Sequence, residues 1–251
     1  MTTKNETMKK RNKTYSYNRR QPIWKCFSGI IRLFLKKPKI INLAGELPEQ
    51  AIYVANHSAM FGPVIYNLYL PTKVAPWGAY PMLGNYKERF HYLRDVYFMQ
   101  KRHKSKFVAT ILATFEALVS KCIYRGLNVI PSYNDSRFIT TIRKSLKALE
   151  EKVSVMIFPE DSNEGYHEIL KSFYAGFVEL AKLFKLRHPD DVPIYPVYYH
   201  QKKKIMVIGK PSKLTDYTDK GMNRQQIAAA FCQQVNDLFL KYIKNPEPQT
   251  T

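Results

Sequence analysis

Two short apolar runs, 51–55 (AIYVA) and 153–158 (VSVMIF), constrain this chain more than any other feature. Neither alternates polar with apolar, so each reads as a strand buried on both faces, the condition of strands in a sheet covered by helices on both sides. Both stop abruptly at polar motifs, Asn56-His57-Ser58 in one case and Pro159-Glu160-Asp161 in the other. Further strands are expected at 74–77, 194–199 and 204–208. Helical spacing recurs at 105–122 (Phe107, Ile111, Phe115, Leu118, Cys122), at 137–150, at 171–187 and at 223–243. Strands alternating with helices imply an α/β class: a single domain with a central mixed, largely parallel sheet flanked by helices. Such sheets gather ligands outside the carboxyl ends of their strands, where both polar motifs fall.

Charge divides the chain further. Lysine and arginine total 40 against 20 acids, and residues 1–39 hold 12 of the basic residues with one acid, Glu6. Residues 1–20 have too little apolar content to offset chain entropy and are expected to be a disordered basic arm. Residues 21–39 form a basic amphipathic helix, with Ile23, Phe27, Ile30, Ile31 and Phe34 at helical spacing beside Lys25, Arg32, Lys36 and Lys37. It suits either an anchor on an anionic membrane surface or a helix packed on the domain. The folded domain is expected over 40–245, with a tail at 246–251. No run approaches the roughly 18 consecutive apolar residues of a spanning helix. Cys26, Cys122 and Cys232 are too scattered for a metal site and suit a reducing, cytoplasmic setting. The expected location is therefore cytoplasmic, peripheral at the inner face of a membrane. Nucleic acid is not an expected partner, because basic and aromatic residues do not interleave in a recognisable module despite 18 tyrosines.

A histidine leaving a buried strand can act as general base, since its pKa lies close to working pH. His57 fits that role. The run YVANHSAMFG (53–62) resembles the first motif of the glycerolipid acyltransferases, the family that includes lysophosphatidate acyltransferase. GLNVIP (126–131), IFPEDS (157–162) and VPIYPV (192–197) resemble the second, third and fourth motifs in order and spacing. The resemblance implies transfer of a fatty acyl group from acyl-coenzyme A or acyl carrier protein to a hydroxyl of a lipid acceptor such as a lysophospholipid, with no metal or bound cofactor. It implies His57 and Glu160 as catalytic residues, with Asn56, Ser58, Phe158, Pro159, Asp161 and Ser162 lining the substrate.

Three positions depart from the family pattern. The aspartate expected five residues after the histidine is Gly62, followed by Pro63, and the arginines of the second and third motifs are replaced near Asn134 and at Asn163. Glu160, Asp161, Glu164 or a backbone carbonyl are the candidates to set the His57 tautomer in the aspartate's absence, and Glu160 alternatively braces its loop. Lys73, Lys101, Arg102 and Lys171 are the candidates to replace the arginine charge, against a plain surface role. His167 is either a second acid–base group or an exposed loop residue. Gly62 also leaves room for a different function, a relative that binds lipid without turning it over.

Overall fold

The computed structural model describes residues 15–18, 21–58, 61–161 and 165–246. In chain order the elements are α1 (Pro22–Phe34), β1 (Lys39–Asn42), β2 (Ile52–Ala55), α2 (Gly62–Tyr69), β3 (Val74–Ala79), α3 (Tyr86–His91), α4 (Lys106–Gly126), β4 (Ile130–Ser132) and α5 (Phe138–Glu150). They continue with β5 (Ser154–Ile157), α6 (Gly176–Lys185), β6 (Ile194–His200), β7 (Ile205–Ile208), α7 (Thr215–Thr218) and α8 (Arg224–Phe239).

The seven strands form one sheet in the order β1-β7-β6-β2-β5-β3-β4, parallel throughout except for the β6–β7 hairpin. The expected mixed, largely parallel sheet is therefore what the chain forms. All of β2 and β5 is buried, as their unbroken apolar character requires. Ile52, Val54, Val155 and Ile157 face α5, α6 and α8, while Tyr53, Ala55 and Met156 face α2. α8 begins where Asn223 and Gln226 form a reciprocal capping box, satisfying two backbone donors that its first turn would otherwise leave open.

Three features differ from the sequence reading. Residues 15–18 fall in the stretch expected to be disordered, yet Tyr17 is only 5% exposed, and the Ser16 hydroxyl and Tyr17 N–H both donate to the Glu151 carboxylate. A buried aromatic ring and a shared acceptor supply what the polar composition of the arm lacks. The remainder of that arm, 1–14 and 19–20, and residues 247–251 of the tail lie outside the described residues. The helix expected from 171 begins only at Gly176, because the preceding segment returns to the end of β5, with Tyr174 N–H donating to the Pro159 carbonyl at 2.8 Å.

The third difference concerns α4. The helix expected over 105–122 forms, and Phe107, Ile111, Phe115 and Leu118, the residues that carry its spacing, are exposed. The helix packs through the small side chains Ala109, Ala113, Ala117 and Ser120, which let it lie close against α3 and a π-helical segment, Tyr92–Lys101. Among the described residues it is the one helix long and apolar enough to cross a membrane, although it contains no unbroken apolar run of the length expected for a spanning helix.

Candidate active site

β2 and β5 are parallel neighbours in the register Ile52↔Val155, Tyr53↔Met156 and Val54↔Ile157. Extending the pairing past both strand ends sets His57 opposite Glu160. β2 leads over β5 to β3, whereas β5 leads over β2 to β6, and the first connection carries α2 on one face while the second carries α6 on the other. The two polar motifs thus flank a topological switch point, the crevice where open α/β sheets bind ligands.

Asn56 fixes the exit of β2. It is buried; its Oδ1 accepts from the Tyr66 hydroxyl at 2.8 Å and from Tyr199 N–H at 2.9 Å, while its Nδ2 donates to the Tyr199 carbonyl at 3.0 Å. Those bonds turn the side chain inward, to β6 and α2. Burial holds the Tyr66 hydroxyl well above its ordinary pKa, which keeps it a donor to Asn56.

The chain then turns sharply. Ser58 takes φ 47°, a left-handed conformation that costs a residue with a Cβ about 1–2 kcal/mol. Gly62 opens α2 directly beneath the His57 carbonyl: a Cβ there would overlap the carbonyl oxygen and stand 2.9 Å from the carbonyl carbon and 3.2 Å from Ser58 Cβ. The place of the family's aspartate is thus one where only glycine fits without movement.

His57 itself is half-buried. Its ring stacks on Tyr166 at 5.0 Å between centroids and 21° between planes, and meets Phe158 edge-on at 5.3 Å. Nδ1 is shut away from solvent. Two aromatic contacts restrict the imidazole in both tilt and rotation, as preorganised chemistry requires.

Glu160 is buried at the end of β5. Its Oε2 accepts from the His57 backbone N–H at 3.0 Å, and its carboxylate also accepts from the backbone N–H of His167. Of the two roles open to it, these bonds are those of a brace, since they tie together the loops that follow β2 and β5. Burial raises its pKa, opposed by the two amides and by Lys101. Pro159 is buried and Phe158 half-buried; Asp161 is half-buried, with its N–H donating to Ser172 O at 3.4 Å. Ser162, Asn163 and Glu164 lie outside the described residues. His167 is exposed, and its described part in the site is the backbone bond to Glu160.

Two residues were underweighted in the sequence. Tyr166 lies in the polar stretch after β5 and gave no periodic signal, although an aromatic residue in an otherwise polar motif loop is a cue. Lys101 ends the π-helical segment, where burial lowers its pKa and the nearby Asp161 and Glu160 carboxylates raise it. Gly165, at φ 98°, carries the loop past the Lys101 carbonyl, in a conformation that favours glycine. Of the other candidate cations, Lys73 bonds Asn18 at 2.9 Å, and Arg102 and Lys171 are exposed.

Residues 41–200 match the model of a family described as Acyltransferase. Among solved structures, the chain is similar to the crystal structure of the 1-acyl-sn-glycerophosphate (LPA) acyltransferase PlsC from Thermotoga maritima, at 14% identity and a TM-score of 0.51, over 88% of this chain and 80% of that one. At that identity the likeness shows a shared fold. No curated protein matches the sequence at a significant level.

Proposed function

Given that the chain belongs to the acyltransferase family, we propose that it moves a fatty acyl group from a thioester, acyl-coenzyme A or acyl carrier protein, to a hydroxyl of a lysophospholipid or related lipid, with His57 as general base. The observation that carries this reading is the position of His57, held by Phe158 and Tyr166 at the switch point between β2 and β5. With its proton on the buried Nδ1, the imidazole offers Nε2 as the basic nitrogen. Nε2 takes the acceptor's proton as the hydroxyl oxygen forms a bond to the thioester carbon. When the tetrahedral intermediate collapses, the C–S bond breaks and the imidazolium returns the proton to the departing thiolate. Backbone N–H groups around Ser58 are the candidate donors to the oxyanion.

Glu160 is a positioning residue here, holding the His57 amide, and Asn56 fixes the strand end behind it. Lys101 is a cation close enough to interact with Asp161 and Glu160, and is suited to an anionic headgroup in the absence of the family's arginines. The acceptor would be met at the cytoplasmic face of an anionic membrane, with α1 as an anchor through the exposed Ile30, Leu33 and Phe34 and the flanking Arg32, Lys36 and Lys37. Gly62 supports a second reading, a lipid binder without turnover, because the family's orienting aspartate has no room there.

Purified protein incubated with labelled acyl-coenzyme A or acyl carrier protein and a panel of lysophospholipids, glycolipids and alcohols separates the two. Acyl transfer lost in His57→Ala supports the enzyme. Equal product from both proteins rejects the base, and acceptor binding without product supports the binder.

A further inference from the structure

The outer face of α4 is the largest feature that the site chemistry does not use. Phe107, Phe115 and Leu118 are 76%, 68% and 63% exposed, and with Ile111 and Cys122 they fall on one side of the helix at spacings of three and four. Soluble surfaces seldom leave so many large apolar groups contiguous. Six of the seven charged residues from 101 to 126 are basic. Arg102, Lys104 and Lys106 stand at one end and Lys121 and Arg125 at the other, all exposed, while the single acid, Glu116, is half-buried. Bulky apolar groups bounded at both ends by cations complement a bilayer with anionic headgroups, whereas a protein partner would not require that charge pattern.

Length and composition would let α4 span a bilayer. Its packing opposes this: Ala109, Ala113, Ala117 and Ser120 are buried along one whole side, against α3 and the segment Tyr92–Lys101. Crossing would strip that side or drag its partners into the hydrocarbon. A helix of 21 residues, about 31 Å long, can instead lie in the plane of the interface with one side in the acyl boundary. The same packing ties α4 to the site, since Lys101 stands by Asp161 and Glu160, and Phe107 follows it by six residues, at most about 20 Å of chain.

We propose that the outer face of α4 inserts in-plane into an anionic bilayer and brings His57 to the membrane surface. This rests on the lipid-acceptor reading of the site and adds an insertion surface separate from α1.

The native cysteines test it. Cys232 is buried, with its thiol pushed up to about 11, so a Cys26→Ser chain takes an environment-sensitive fluorophore at Cys122 on α4, and a Cys122→Ser chain takes it at Cys26 on α1. Each is titrated with vesicles of equal parts phosphatidylglycerol and phosphatidylcholine. The expected result is a blue shift at Cys122, quenched by spin-labelled acyl chains. In unlabelled protein, Phe107→Ser, Phe115→Ser and Leu118→Ser together should weaken vesicle co-sedimentation at least about tenfold, with unchanged circular dichroism. A shift at Cys26 alone overturns the proposal and leaves α1 as the anchor. No shift at either site overturns both. A Cys122 shift that grows with protein concentration and needs no vesicles assigns the face to a second copy of the chain, and overturns it too. Transfer to detergent-dispersed acceptor reports on the site separately: no turnover with a retained Cys122 shift would reject the enzyme and support the insertion face.

Discussion

Restoring the family's aspartate, by Gly62→Asp, should damage this protein rather than improve it. The new Cβ would overlap the His57 carbonyl oxygen and press on Ser58, and both partners are backbone or held close to it, so the start of α2 must move. Overpacking of this kind costs about 1–3 kcal/mol. Moving α2 also strains the Tyr66–Asn56 bond, worth about 1 kcal/mol. Against this, an aspartate in the first turn of a helix gains only about 0.3–1 kcal/mol from the helix dipole. The clash therefore wins by about 1–4 kcal/mol, which lowers Tm by about 2–16 °C in a domain of this size. Gly62→Ala carries the same Cβ without the charge and should lose a similar amount. Thermal unfolding of both variants, with acyl-transfer rates measured at a temperature where each is folded, is the assay. Wild-type stability and a faster rate in Gly62→Asp would refute the reasoning, by showing that the Cβ finds room and that the missing carboxylate limits the chemistry.

Three other outcomes follow from the site. Burial holds the Glu160 carboxyl above its ordinary value of about 4.5, so the folded chain retains that proton more strongly than the unfolded chain, and the associated stability fades as pH rises from that value through the folded pKa. Glu160→Gln removes this titration, so its Tm relative to wild type should rise over that interval; parallel Tm–pH profiles would contradict it. Tyr166→Ala, which removes the ring stacked on His57, should lower kcat by about 10–100-fold with little change in KM, and Tyr166→Phe should restore most of it. Steady-state kinetics that leave Tyr166→Ala at the wild-type kcat would remove the ring from the mechanism. Lys101→Met should raise KM for phosphate-bearing acceptors about tenfold or more and leave uncharged acceptors unaffected, with an equal change for both classes counting against a headgroup contact.

Much of the site was legible from residues 51–58 and 153–161, because an unbroken apolar run that ends in a polar motif identifies both a covered strand and its functional end. Patterning placed His57 and Glu160 just past two strand ends, and the resemblance of their motifs to the acyltransferases is what singled them out. The role of Glu160 was not legible: whether a carboxylate meets an imidazole or an amide depends on the side chain's path across two strands. Tyr166 was hidden because a loop has no period, and Lys101 because a surface lysine and a site lysine look alike until burial separates them. For α4 the helical spacing was legible and the covered side was not. Periodicity shows that two faces differ, whereas which one is covered depends on what packs there, and the alanine face was the one that allowed close approach.

The amino-acid sequence by itself determined that the chain forms a covered, largely parallel sheet and that two strand ends carry the polar motifs, because apolar patterning and strand length are local properties. Only the tertiary structure decided that β2 and β5 are neighbours, with chain connections leaving them in opposite directions, so that His57 and Glu160 meet across more than 100 residues. It also decided why Gly62 stands where an aspartate is expected: the His57 carbonyl occupies the space a side chain would need, and that proximity exists only once the turn after β2 has closed.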